Sequence, residues 1–426
     1  MNTIELHKLF LESDGVCTDS RKVGKNTLFF ALKGENFNGN EYAEEALKQG
    51  ACYAVTDEDT GVSDERILSV ENVLHSLQYL AAHHRKYLNI PVISLTGSNG
   101  KTTTKELINA VLKTKYRTVA TKGNLNNHIG VPLTLLSMDY DTEIAIVEMG
   151  ANHLEEIARL CKIAQPDYGC ITNFGKAHLE GFGGVEGVIK GKSELYDYLK
   201  NNNKVIFYNS EDSIQVEKTG DYPHKFGFGD NGPDVSVTLN GADPFVNVSF
   251  QGNNIKSQMI GAYNYNNIGL AICIGKYFKV ADENIIKAIE GYIPDNNRSQ
   301  IIKKGELTII LDAYNANPSS MKAALENLSK QPQKPVTAII GDMFELGSEA
   351  ATEHQAIADL CRDLHFDEVT LVGENFFKTQ TELSKFPNFK TLEEAIKNND
   401  LSLPVNGTLL IKGSRGMALE RVLEFF

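Results

Sequence analysis

The stretch Thr96-Gly-Ser-Asn-Gly-Lys-Thr-Thr-Thr104 follows an apolar run at 91–95 and leads into a helical pattern at 105–113. A glycine-rich turn between strand and helix commits this part of the chain to a parallel α/β layer and forms a cradle for phosphate. Gly97 and Gly100 let backbone N–H groups approach an anion, and Lys101 reaches toward β/γ-phosphates. Thr102 offers a hydroxyl to Mg²⁺, while Ser98, Asn99 and Thr103 complete the turn. Leu95 stands where the longest form of this motif has its first glycine, so the pattern is G-x-x-G-K-T. An ordinary strand-turn-helix junction is the alternative; Gly, Lys and Thr at these offsets favour a nucleoside triphosphate.

At about 150 residues per domain, a chain of 426 residues holds three domains. A net charge of −13 argues against nucleic acid or an anionic membrane as the main partner, since binding to either rests on clustered cations. The six cysteines form no C-x-x-C pair and read as reduced thiols. The first residues, Met1-Asn-Thr-Ile-Glu-Leu-His-Lys8, lack a basic stretch followed by an apolar core, and no apolar run reaches the length of a membrane span. The expectation is a cytoplasmic protein without a membrane span.

Short apolar strands at 28–32 and 52–56 flank a helical stretch at 41–49, forming a small α/β unit that ends near residue 88. From Pro91 strands and helices alternate: strands at 92–95, 143–148 and 168–172, helices after Lys101 and at 154–163. This rhythm predicts a parallel sheet. Between 235 and 259 the pattern changes to polar/apolar alternation with Asn-Gly and Gly-Asn turns, which predicts antiparallel strands before a helix at 261–277. Strands at 307–311, 336–340, 369–372 and 408–411 predict a second doubly wound domain. The expected units are therefore 1–88, 89–295 and 296–426. Ligands of such sheets sit beyond the carboxyl ends of the strands, so residues following each strand carry most weight.

Glu148 closes one such strand and is a candidate Mg²⁺ ligand; a solvated strand-end glutamate is the bland alternative. His178 lies in a Gly-punctuated loop after the strand ending at Thr172, and Lys192 reads by composition as a surface lysine. Asn264 and Asn267 open a helix, where they cap it or read an adenine edge. Arg298 and Asp312 stand between domains and at a strand end, placed for phosphate and ribose. Lys412 and Arg415 follow the last strand, where an arginine forks a carboxylate or phosphate or simply forms a basic surface turn. The amides of Gly123-Asn-Leu-Asn-Asn127 either bind a polar substrate or satisfy a turn.

Together these segments resemble the Mur ligases, the ATP-dependent amide-forming enzymes of peptidoglycan precursor synthesis, over nearly the whole chain. Gly123-Asn-Leu-Asn-Asn127 with Gly130-Val-Pro132, Gly150-Ala-Asn-His153, Ala177-His-Leu-Glu-Gly-Phe-Gly183, Asp312-Ala-Tyr-Asn-Ala-Asn317 and Gly341-Asp-Met-Phe-Glu-Leu-Gly347 look like the D-alanyl-D-alanine-adding branch. The resemblance implies a small N-terminal α/β domain for the UDP-N-acetylmuramoyl-tripeptide, a central P-loop ATPase with a mainly parallel sheet, and a C-terminal Rossmann-like domain. It implies a monomer that uses ATP and Mg²⁺. Ser20 and Arg21 fall on the UDP-substrate motif, and Asn124, Asn126 and Asn127 on a loop facing the muramoyl peptide. Lys101 and Thr102 keep their phosphate and Mg²⁺ roles, while Glu148 and His178 match ligands of a second Mg²⁺. Lys192 matches a lysine carbamylated to N6-carboxylysine, which would make it an anionic metal ligand. Asn264 and Asn267 match the adenine region, although Tyr263 stands where many relatives have histidine. Arg298 and Asp312 match nucleotide contacts, and Asn315, Asn317, Lys412 and Arg415 match positions where the third domain meets substrate. A diaminopimelate-adding or folylpolyglutamate-forming relative and a catalytically silent nucleotide-binding partner are the alternatives.

Overall fold

In the computed structural model, which describes residues 1–295 and 297–426, the chain builds three main sheets. Asn296, where the third unit is expected to begin, lies outside the described residues. The first sheet has four parallel strands in the order Val16–Cys17, Leu28–Phe30, Tyr53–Thr56, Ile67–Ser69. The third has six, with Asn406–Lys412 between Glu306–Asp312 and Val336–Gly341, and one antiparallel edge strand, Gln300–Lys304, beside Glu306–Asp312. The second has nine strands and positions the site.

Six strands of that sheet run parallel, from Lys225–Gly229 through Val205–Asn209, Tyr168–Ile171, Val92–Thr96 and Ile144–Glu148 to Thr118–Ala120. Val235–Ala242 joins them in parallel and then pairs antiparallel with Phe245–Phe250, which pairs with Asn253–Ile260, so the expected change of pattern is a real change of topology. The register sets Leu95 opposite Glu148 and Thr96 opposite Ile171, which brings three carboxyl strand ends to one edge. Val92–Thr96 and Ile144–Glu148 are buried at every position, as continuous apolar strands covered on both faces should be. One face packs Ile93 and Leu95 against Leu107, Ile108 and Val111 of the helix Lys101–Leu112. Each such aliphatic side chain contributes about 2 kcal/mol on burial, enough to fix the helix start beneath the glycine-rich turn.

The helix Val73–Leu88 links the first sheet to the second, with Leu77 and Leu80 in the same apolar cluster as Val131 and Leu160. Here His7 Nε2 and His84 Nδ1 lie 3.1 Å apart, and His84 Nε2 lies 3.0 Å from the Met138 carbonyl oxygen, all buried. A carbonyl only accepts, so His84 carries its hydrogen on Nε2 and its Nδ1 accepts from His7. Burial, then the neighbouring His84 and His83, pushes His7 down from 6.5 to about 4. The unfolded chain therefore binds a proton that the folded chain refuses, and stability is present above pH 6.5 and lost as the pH falls toward 4. Unfolding free energies from urea titrations should drop across that window, by up to about 3 kcal/mol, and His7→Phe should flatten the drop. An unchanged slope in the variant would contradict this.

Candidate active site

The helix Lys101–Leu112 starts at Gly100, whose φ is 77°, with no side chain capping it. Its first N–H groups are thus left for an anion. Lys101 Nζ donates to the Gly97 carbonyl at 2.7 Å and to the Ser98 carbonyl at 3.4 Å, curling back over its own turn. Burial lowers its pKa, which favours a phosphate beside it. The turn is pinned from below: Asn99 N–H donates to Asn173 Oδ1 at 3.1 Å, and Thr172 Oγ1 and Asn173 Nδ2 donate to the Asn99 carbonyl at 2.6 and 3.0 Å. A Cβ on Gly97 would stand 2.0 Å from Thr172 Oγ1, at a φ of 146°. Gly97→Ala should therefore shift the turn and weaken nucleotide binding by at least about ten-fold, from roughly 1–3 kcal/mol of backbone strain; calorimetric titration with ADP checks this.

Beside the turn, Thr102 Oγ1 donates to Glu148 Oε2 at 2.9 Å and Asn126 Nδ2 donates to Glu148 Oε1 at 2.8 Å. Glu148 is 1% exposed. A carboxylate and a hydroxyl beside a phosphate cradle suit a hard cation that takes its remaining oxygens from phosphate and water. Among the described residues no trio of His, Cys, Asp and Glu gathers as a ready-made metal cluster. His178 lines the same cavity, with its Nδ1 bonded to Glu345 Oε2 of the third unit.

Lys192 corrects its compositional reading: it is fully buried in the helix Val185–Asn201, not on the surface. Its Nζ donates to the Ala151 carbonyl at 2.9 Å and lies 4.9 Å from the centroid of the Phe182 ring. Burial, then the nearby Lys101 charge, holds its pKa well below the ordinary lysine range, against opposing Glu156 and Glu194. An amine biased to the neutral form is the nucleophile that carbamylation requires, so the residue fits N6-carboxylysine.

A cavity of about 1030 Å³ joins the glycine-rich turn, Glu148 and His178. Its walls include residues 98–103, Asn124, Asn126, Asn127, Asn264, Asn267, Arg298, Asp312, Asn315, Asn317 and Lys412. Lys412 Nζ donates to Asp312 Oδ2 at 2.5 Å and to the Asn315 carbonyl at 3.3 Å. Asn317 Nδ2 donates to Asn99 Oδ1 at 2.7 Å, tying the third unit to the glycine-rich turn. Neither Asn264 nor Asn267 caps its helix; Asn264 Nδ2 donates to the Ile260 carbonyl at 2.8 Å, while Asn267 Oδ1 accepts from Thr104 Oγ1 at 2.9 Å. Asn127 Oδ1 accepts from the Gly130 N–H at 2.9 Å, so it also holds its own turn.

Ser20, Arg21, Arg415 and the fully buried Lys192 do not line this cavity. Ser20 is buried in the first unit, Arg21 pairs with Asp19 at 2.8 Å, and Arg415 pairs with Glu420 at 2.8 Å. Sequence reasoning passed over Asn173, Asn152, Arg159 and Tyr314, which do line it. Asn173 was accessible to the strand-end rule, since it follows Tyr168–Ile171; Tyr314 sits inside a quoted motif.

Three family models match: Mur ligase family, catalytic domain (residues 12–96), Mur ligase middle domain (95–275) and Mur ligase, glutamate ligase domain (297–415). The chain is 35% identical to the UDP-N-acetylmuramoyl-tripeptide–D-alanyl-D-alanine ligase of Bacillus subtilis, over 96% of this chain and 92% of that protein. A MurF crystal structure from Acinetobacter baumannii superposes with a TM-score of 0.86 at 31% identity, covering 96% of this chain and 92% of that one. MurF ligase from Thermotoga maritima, in complex with ADP, gives 0.85 at 28% identity, covering 98% and 97%.

Proposed function

The chain belongs to the Mur ligase family, and from that membership we propose that it adds D-alanyl-D-alanine to UDP-N-acetylmuramoyl-tripeptide. It is an ATP-dependent amide-forming ligase of peptidoglycan synthesis, and in this reading the tripeptide carboxylate is activated as an acyl phosphate. The observation that carries the local chemistry is the uncapped helix start at Gly100 with Lys101 folded over it, facing the Thr102–Glu148 oxygen pair.

In this reading Gly97, Gly100 and the helix N–H groups hold the β/γ-phosphates, and Lys101 turns from its carbonyls to the γ-phosphoryl group, offsetting charge as the carboxylate attacks. Thr102 and Glu148 would hold Mg²⁺, with His178 and a carbamylated Lys192 as further ligands; the ion supplies charge neutralisation at the phosphates. Asn264, Asn267, Arg298 and Asp312 hold the rest of the nucleotide. Asn124, Asn126 and Asn127 orient the muramoyl peptide, whose nucleotide end reaches Ser20 and Arg21. Asn315, Asn317, Lys412 and Arg415 present the dipeptide amine, which attacks the acyl carbon and expels phosphate. Most of the acceleration is positioning and electrostatics, and closure of the third unit keeps water from the acyl phosphate.

We divide the chain as 1–88, 89–295 and 296–426. In this reading the protein works in the cytoplasm, where its six cysteines stay as free thiols, and acts as a monomer. Among the described residues no helix is long and apolar enough to cross a membrane. Phosphate release measured with each component omitted in turn tests the function. Release should require ATP, the tripeptide and the dipeptide together; equal release with any other amine would displace the branch assignment.

A further inference from the structure

Arg298 lies in the segment joining the second and third units, and its guanidinium carbon is 3.7 Å from the centroid of the Tyr314 ring. That separation is flat stacking, which fixes the plane of the fork. Arg298 Nε is buried with no hydrogen-bond partner. Both residues line the cavity that contains the glycine-rich turn. Two cations with donor capacity to spare, Arg298 and Lys101, thus converge on one space, an arrangement that an anion relieves.

The ring is held from the third sheet. Tyr314 follows the strand Glu306–Asp312, and its N–H donates to the Asn297 carbonyl at 3.2 Å. One oxygen of Asp312 accepts from Lys412 and the other from the Ser299 N–H at 3.1 Å, so the segment on both sides of Arg298 is tied to that strand end.

We propose that Tyr314 is a positioning residue for the nucleotide: its ring holds the Arg298 guanidinium flat against the third sheet, with its donors facing the phosphates bound at the Lys101 turn. The inference rests on the ATP reading given above. It assigns to the ring, not to the hydroxyl, a link between nucleotide affinity and the third unit.

The test is calorimetric titration of the full chain with Mg²⁺ and a non-hydrolysable ATP analogue, with thermal melting as a fold control. Tyr314→Leu should weaken binding about ten-fold, and Tyr314→Phe should bind like the unaltered chain. Arg298→Lys, which keeps charge but not the planar stack, should weaken binding to a similar degree. In an Arg298→Ala background, Tyr314→Leu should add nothing. If Tyr314→Phe loses as much as Tyr314→Leu, or Arg298→Lys binds normally, the proposal is overturned. It is also overturned if the leucine costs as much without Arg298, since the ring then touches the ligand directly. An unaltered chain that binds no nucleotide would instead overturn the ATP reading, and this inference with it.

Discussion

Lys101→Ala is expected to lower kcat/KM for ATP by about 10³-fold, with the melting temperature nearly unchanged. Without nucleotide the lysine bonds only its own turn, through the Gly97 and Ser98 carbonyls, and the Glu148 carboxylate that feels its charge keeps its bonds from Thr102 and Asn126. With nucleotide it is the one side-chain cation inside the cradle itself, residues 97–103. The helix N–H groups and Thr102 remain, so ADP binding should fall much less than turnover. That split separates a role in the transition state from uniform binding. Phosphate release kinetics and ADP titration of the same variant measure it. A loss below ten-fold, or equal losses in both, would place the charge elsewhere.

The second large effect concerns Lys192. Lys192→Ala should reduce turnover by about 10²–10³-fold, the range typical of losing one preorganised electrostatic group. Lys192→Arg should be as inactive, because a guanidinium cannot become a carbamate. An enzyme stripped of CO₂ should lose activity and regain it with bicarbonate, and ¹³C-labelled bicarbonate should give a carbamate resonance absent from both variants. The sign with pH follows from the lowered pKa: the amine is neutral over a wider range than an exposed lysine, and acid converts it to the unreactive ammonium. Activation by bicarbonate should therefore fail first on the acid side. Full activity in CO₂-free buffer, with no resonance, would assign Lys192 a packing role beneath Ala151 and Phe182.

Much of the architecture is legible in the residues because each local signal agrees with the others. The apolar run before Gly97, the strand ending at Glu148 and the turn-rich 235–259 segment all specify their elements by pattern alone. Short or half-buried strands escaped: Thr118–Ala120 is a three-residue edge strand with no fully buried position. Among the site residues, Lys101, Thr102 and Glu148 could be placed because strand ends and a helix start are local features. Lys192 could not, since its burial is created by Phe182 and Ala151, distant from any pattern around it. Glu345 stands inside the 341–347 motif, but its partner is not legible there: only folding brings it to His178. The asparagines divide similarly. Asn126 meets Glu148 across the sheet edge, whereas Asn317 both caps the helix Pro318–Leu328 and reaches Asn99, two duties that sequence alone cannot separate.

The most direct test of the ligase account follows one oxygen atom. UDP-N-acetylmuramoyl-tripeptide labelled with ¹⁸O in the reacting carboxylate is incubated with the full chain, ATP, Mg²⁺ and D-alanyl-D-alanine, and both products are weighed by mass spectrometry. Activation through an acyl phosphate predicts a pentapeptide that has lost one labelled oxygen and inorganic phosphate that has gained it, in equal amounts. Phosphate without label, or with no pentapeptide, would mean that ATP is cleaved by water and that the account is wrong.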